Sequence, residues 1–180
     1  LAAGRLANGV QHLAEPGRGD VEGLAALDAR ELDHAQLAAT LLVVADHAEN
    51  LGLAPLLMAK DPALMATDFG KALRAKIDAG DLPGAWEVWS KSKAAGKDPL
   101  AGQDAIYRNA WTTLTAAAEK HNEPGRFTAL IGFEWTSAYE RNNLHRNVIF
   151  RGGKKNADTI IPFSSFDSVD PEELWKWMAS

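Results

Sequence analysis

All the aromatic side chains of this 180-residue chain, six Trp, six Phe and two Tyr, lie at Phe69 or beyond. At ordinary composition so long an aromatic-free opening would arise in well under about 1% of shuffled sequences. The chain is therefore not uniform, and no internal repeat or long low-complexity tract is visible. The first forty or so residues are mostly Ala, Leu, Gly, Asp, Glu and Arg. A helix is expected over 20–39, with Asp20 as N-cap and Leu24, Leu27, Leu32 and Leu37 as a ragged apolar stripe that Gly23 weakens. Residues 1–41 thus read as a weakly helical segment.

From Leu41 the pattern sharpens. Leu41-Leu42-Val43-Val44-Ala45 is short, apolar and partly β-branched, then stops at Asp46-His47, as a buried strand does. Helices are expected over 68–79, with Asp68 as N-cap, around Trp86 and Trp89, and over 103–120. Strands are expected over 128–136, 145–151 and 159–163. Asp170-Pro171-Glu172-Glu173 opens a last helix in capping-box fashion, with Leu174, Trp177 and Met178 as its buried face. The Trp residues read as core, and Arg151 to Lys155 as a solvated turn. Strands separated by helices indicate an α/β class.

Composition excludes several functions. The net charge of -5 lacks the basic excess that a nucleic-acid partner demands. With no cysteine there is no disulfide framework, zinc–cysteine finger or thiol nucleophile. The apolar run 41–45 is far too short to span a membrane, and no signal-peptide pattern opens the chain, so a soluble protein of unspecified compartment is expected. There is no Gly-rich phosphate loop, nucleophile elbow or His-Glu-x-x-His.

Three segments carry chemistry. Asp46-His47 ends an apolar strand, where sites of α/β folds lie, and imidazole with carboxylate suits zinc, manganese or iron. The competing reading is a structural histidine with Asp46 capping the next turn. In Gly132-Phe133-Glu134-Trp135-Thr136 a carboxylate sits late in an apolar strand, which is costly if buried without a partner. A metal would be such a partner; exposure, or pairing with Arg141 or Arg146, are the alternatives. In Asn142-Asn143-Leu144-His145-Arg146-Asn147 a histidine begins a strand. A hairpin around 128–151 would bring it beside Glu134, provided that the register puts the two on one face.

Together these segments resemble the PHP (polymerase and histidinol phosphatase) superfamily. Val43-Val44-Ala45-Asp46-His47-Ala48-Glu49-Asn50-Leu51-Gly52 is similar to its Asp-His motif. Gly132 to Thr136, Asn143 to Phe150 and Asp170 to Met178 resemble an uncharacterised bacterial branch of it, catalogued as a domain of unknown function. The resemblance covers roughly 42–180 and leaves 1–41 outside. It implies part of a distorted (β/α) barrel holding divalent metal ions (Mn, Fe or Zn) and hydrolysing small-molecule phosphate esters. His47, Glu134 and His145 would be metal ligands. Asp46 would be the acidic catalytic partner, holding an imidazole or a bound water. Arg146 would contact substrate phosphate.

Two departures stand beside it. The family's opening His-x-His does not occur, and the later ligand-bearing strands are not reached. The chain is thus expected to be an internal piece with about three barrel strands, and its open sheet edges would favour self-association. The opening composition suits either an out-of-frame reading of a GC-rich gene or a divergent helix. The alternative function is a non-catalytic, protein-binding module that keeps part of the fold.

Overall fold

The computed structural model describes residues 2–6, 10–15 and 41–180. Two strands come first. β1 (Ala2–Leu6) and β2 (Val10–Glu15) pair antiparallel, with Ala2 opposite Glu15 and Leu6 opposite Val10. Within the segment expected to be weakly helical, Ala2–Leu6 and Val10–Glu15 are thus a strand pair. The helix expected over 20–39 lies outside the described residues.

The apolar run forms β3 (Leu41–Val44), as expected. A long connection with five helices follows: α1 (Leu53–Ala59), α2 (Pro62–Ala66), α3 (Asp68–Asp78), α4 (Leu82–Ala94) and α5 (Asp104–His121). It leads to β4 (Thr128–Ser137), which pairs parallel with β3. Parallel strands require such a crossover. A single 3₁₀ turn (Tyr139–Arg141) then returns the chain as β5 (Leu144–Ile149), antiparallel to β4. The sheet order is β3-β4-β5. This is a mixed α/β fold with an open sheet; among the described residues the strands do not close into a barrel. α6 (Lys154–Ala157) and α7 (Pro171–Ala179) complete the chain.

Capping explains the helix starts. Thr67 Oγ1 accepts from Gly70 N at 2.9 Å, so Thr67, not Asp68, is the N-cap of α3. Asp68 falls in the first turn, where its charge still suits the dipole. Asp61 and Asp81 cap α2 and α4 in the same way, each followed by a proline in the first turn. Asp170 caps α7 by accepting from Glu172 N, but Glu173 turns to Lys176 and leaves the capping box open.

Two apolar clusters hold the elements. One joins Trp111 of α5 to Ile131, Phe133 and Trp135 of β4, Val148 of β5, Ala157 and Leu174. Trp111 and Trp135 are fully buried and donate their indole N–H to the carbonyls of Ala157 (2.9 Å) and Ser168 (3.2 Å). The other cluster joins Leu57, Leu64, Leu73, Leu100 and Ile106.

Three expectations are corrected. Residues 159–163 are not a strand: Thr159 and Ile160 donate back to Asn156 and Ala157, continuing the turn of α6, and Pro162 has no N–H to give a ladder. The exposed turn expected at Arg151 to Lys155 is present over 151–153, but Lys154 and Lys155 already belong to α6. On α7, Leu174 and Trp177 face the core, but Met178 and Trp175 are exposed. A nine-residue helix packed on one side buries one stripe only.

Gly52 closes the loop after β3. Its φ of +74° suits glycine, and a Cβ there would lie 2.5 Å from Ala110 Cβ. Gly52→Ala is therefore expected to cost about 2–3 kcal/mol, as backbone strain adds to overlap with α5. The check is a lower denaturant midpoint at unchanged slope. No helix among the described residues is long and apolar enough to cross a membrane.

Candidate metal centre

β4 supplies the middle of the site. Its alternation sends Phe133 and Trp135 into the core and turns Glu134 and Thr136 to the opposite face. In the register with β5, Thr136 lies opposite His145 and Glu134 opposite Asn147. Residues paired in this way share a face, so the hairpin does bring His145 to the side of Glu134. The chain beyond β3 delivers His47 to the other flank. Glu134 N donates to Asp46 O and Ala48 N donates to Glu134 O, both at 2.8 Å, which continues the parallel pairing as far as His47.

Three segments therefore converge on one carboxylate. His145 Nδ1 bonds to Glu134 Oε1, and His47 Nε2 lies 3.7 Å from Oε2. The ring centroids of the two histidines are 6.2 Å apart. The Thr136 hydroxyl sits between them, 2.9 Å from His47 Nδ1 and 3.3 Å from His145 Nδ1. The Glu134 side chain is only 12% exposed, whereas His47 is 48% and His145 35% exposed. The cluster has a buried acid and an open, imidazole-lined mouth.

Glu49 joins the site, although its sequence position suggested no role. It is buried, and its Oε1 accepts from Ser165 N at 2.7 Å and Thr136 N at 3.4 Å. Its Oε2 is buried without a hydrogen-bond partner among the described residues and lies 3.8 Å from His47 Nδ1. The Glu49 carboxylate is the main reason that the His47 pKa is raised; burial opposes this, Glu134 adds to it and Lys93 works against it. For Glu49, burial favours the neutral form. The neighbouring His47 imidazole and the hydrogen bond from Ser165 outweigh it and hold the pKa below the ordinary carboxylate value. Glu49 and Thr136 were both inside recognisable motifs. What marked them was proximity to His47 and Glu134, not a pattern of their own.

The other expected site residues fall at the margin. Asp46 is exposed at the lip, where its Oδ1 accepts from His47 N at 3.0 Å. Arg146 lies opposite Trp135 in the register, so it belongs to the face away from the cluster. It is exposed, and its guanidinium donates to the carbonyl of His145 at 2.9 Å. The structure thus brings His47, Glu134 and His145 together, sets Asp46 beside them and leaves Arg146 behind.

Among the described residues, no group of three His, Asp or Glu side chains is already spaced to hold an ion. The imidazoles close on Glu134 itself. The donor chemistry nevertheless fits a divalent cation. Two imidazoles face two buried carboxylates, and one carboxylate oxygen lacks any hydrogen-bond donor. Such an oxygen is costly to bury unless a cation or a donor meets it.

A family model for a protein of unknown function matches residues 26–180. The chain belongs to the DUF3604 family. The stretch shared with DUF3604 begins upstream of β3 and includes every candidate residue named above, from Asp46 to Arg146. No curated protein matches the chain, and no solved structure matches it.

Proposed function

We propose that this site binds a divalent metal ion and that the parent domain hydrolyses phosphate esters, in the manner implied by the PHP resemblance. The observation that carries the reading is Glu134, a buried carboxylate set between His47 and His145 on three adjacent segments. In this reading β3, β4 and β5 are part of a larger barrel whose site lies at the strand ends.

His47, Glu134 and His145 would hold the ion, with manganese, iron or zinc all compatible with imidazole and carboxylate donors. When bound, such an ion supplies a hydroxide nucleophile from water and neutralises charge on the phosphoryl group. The chain's own residues do the rest. Thr136 fixes both imidazoles through Nδ1, which sets their orientation. Glu49 is itself fixed by Ser165 N and holds negative charge against His47 from below. Asp46, exposed at the lip, would hold an imidazole or a bound water. Arg146, on the far face, has no part in this arrangement.

The test is metal content of the purified chain by plasma mass spectrometry after reconstitution with manganese, iron or zinc, followed by hydrolysis of p-nitrophenyl phosphate. Stoichiometric metal with chelator-sensitive hydrolysis supports the proposal. No bound metal under any of the three conditions overturns it.

A second reading draws on a different surface. Leu42 and Val44 of β3 are more than half exposed beside a hollow of about 690 Å³ that Leu114 and Phe127 also line. An apolar sheet edge of this kind favours a protein-binding module or self-association.

A further inference from the structure

Helix α4 stands over the mouth of the candidate site. Trp86, Trp89 and Lys93 recur at helical spacing and so share one face of it. Trp89 and Lys93 line two adjoining hollows. The first, of about 390 Å³, also holds Asp46, His47, Glu49 and Trp86. The second, of about 500 Å³, holds Thr136, Ser137 and Asn143. One helix face therefore overlooks the site from both sides.

The chemistry of that face is specific. Trp86 is 66% exposed, an unusual state for the largest side chain unless something covers it. Its ring lies 4.8 Å from that of Trp89, tilted by 39°, so the pair forms a broad aromatic shelf. Lys93 is folded back with its ammonium 5.6 Å from the centre of the Trp89 ring, a cation–π distance. Lys93 lines the same hollow as His47 and Glu49. Lys91, on another side of the helix, is instead occupied by Glu87 at 2.5 Å. The site itself is rich in acids, so a phosphate approaching it needs a cation of this kind.

We propose that α4 is the substrate-recognition wall of this site, and that it selects phosphate esters of a flat aromatic ring. Trp86 and Trp89 would stack the ring, and Lys93 would take a phosphoryl oxygen. The proposal rests on the phosphoester reading for its chemistry, but it makes its own claim about binding. Lys93 takes the phosphate contact that the resemblance implied for Arg146.

The experiment measures binding alone, by calorimetry on the full metal-free chain, with phenyl phosphate, methyl phosphate and inorganic phosphate as probes. Phenyl phosphate is expected to bind about tenfold more tightly than methyl phosphate, as one ring stack allows. Trp86→Ala should reduce that preference to less than about twofold, and Trp86→Phe should retain most of it. Lys93→Gln should weaken phenyl and methyl phosphate together and leave the preference intact. Because Trp86 is largely exposed, its variants should keep the circular dichroism of the parent. No phenyl preference, no detectable binding at millimolar phenyl phosphate, or a preference that survives Trp86→Ala would each overturn the proposal. If the preference is found in a chain that takes up no metal, the recognition wall stands and the hydrolase reading falls. If metal binds without any preference, the wall alone falls.

Discussion

Glu134→Ala is expected to lower metal affinity by at least about 100-fold, the upper end of what losing even a supporting group costs a metal site. Its carboxylate lies against both imidazoles, His145 at Oε1 and His47 at Oε2. Removing it leaves two histidines 6.2 Å apart with only the neutral Thr136 hydroxyl between them among the described residues. The substitution should leave the fold largely intact. A buried carboxylate goes with its desolvation cost, and both histidine rings are partly open to water. Competition with a chromogenic chelator would read the affinity, with thermal melting beside it. Glu134→Gln is the sharper control. It keeps the volume and one acceptor oxygen but loses the charge, so it should approach the alanine variant in metal affinity. Unchanged affinity in both variants would remove Glu134 from the site.

Trp111→Ala is expected to cost about 3–5 kcal/mol, the usual range for emptying a large aromatic from a packed core. Trp111 is completely buried where α5 meets the sheet, against Phe133 edge-on at 6.0 Å and Phe150 at 5.7 Å. Its N–H also satisfies the carbonyl of Ala157, which ties α6 to the same core. For a chain of this size the loss corresponds to a fall of about 10 °C or more in Tm. Trp111→Phe separates the two contributions. It keeps most of the apolar contact and leaves the Ala157 carbonyl without its donor, so about 1–2 kcal/mol should be lost. A Phe variant as unstable as the Ala variant would mean that the hydrogen bond, not the packing, dominates.

Much of this arrangement was legible in the sequence because it rests on strong local patterns. The run 41–44 had length, branching and a polar stop. The helix over α5 had a long stripe, and Asp170-Pro171 is a helix-start signal, with an N-cap followed by proline in the first turn. The meeting of Glu134 with His145 followed from a hairpin and from alternation, and only the register was open. What could not be read was non-local. Glu49 acts through Ser165, far along the chain, and no spacing rule connects them. The cap of α3 moved by one residue because Thr67 and Asp68 are both competent caps and backbone geometry chose between them. The short segment at 159–163 looked like a strand by composition, yet the turn that ends α6 already held its amides. Arg146 was misplaced by adjacency: neighbours on a strand point to opposite faces.

The parallel pairing of β3 with β4 has a kinetic consequence. Glu134 and His145 lie within one hairpin and can meet through a short loop, on the microsecond scale typical of such units. His47 and Thr136 are 89 positions apart, and their contact waits for five helices to be placed between them. Closing that long loop carries an entropy cost which the hairpin does not. The two halves of the cluster therefore mature at different times, with the hairpin half first and the His47 loop last. Any ion that joins them grips the latest-formed contact of the fold, so its presence would act chiefly by slowing the chain's opening and hardly at all by hastening its assembly.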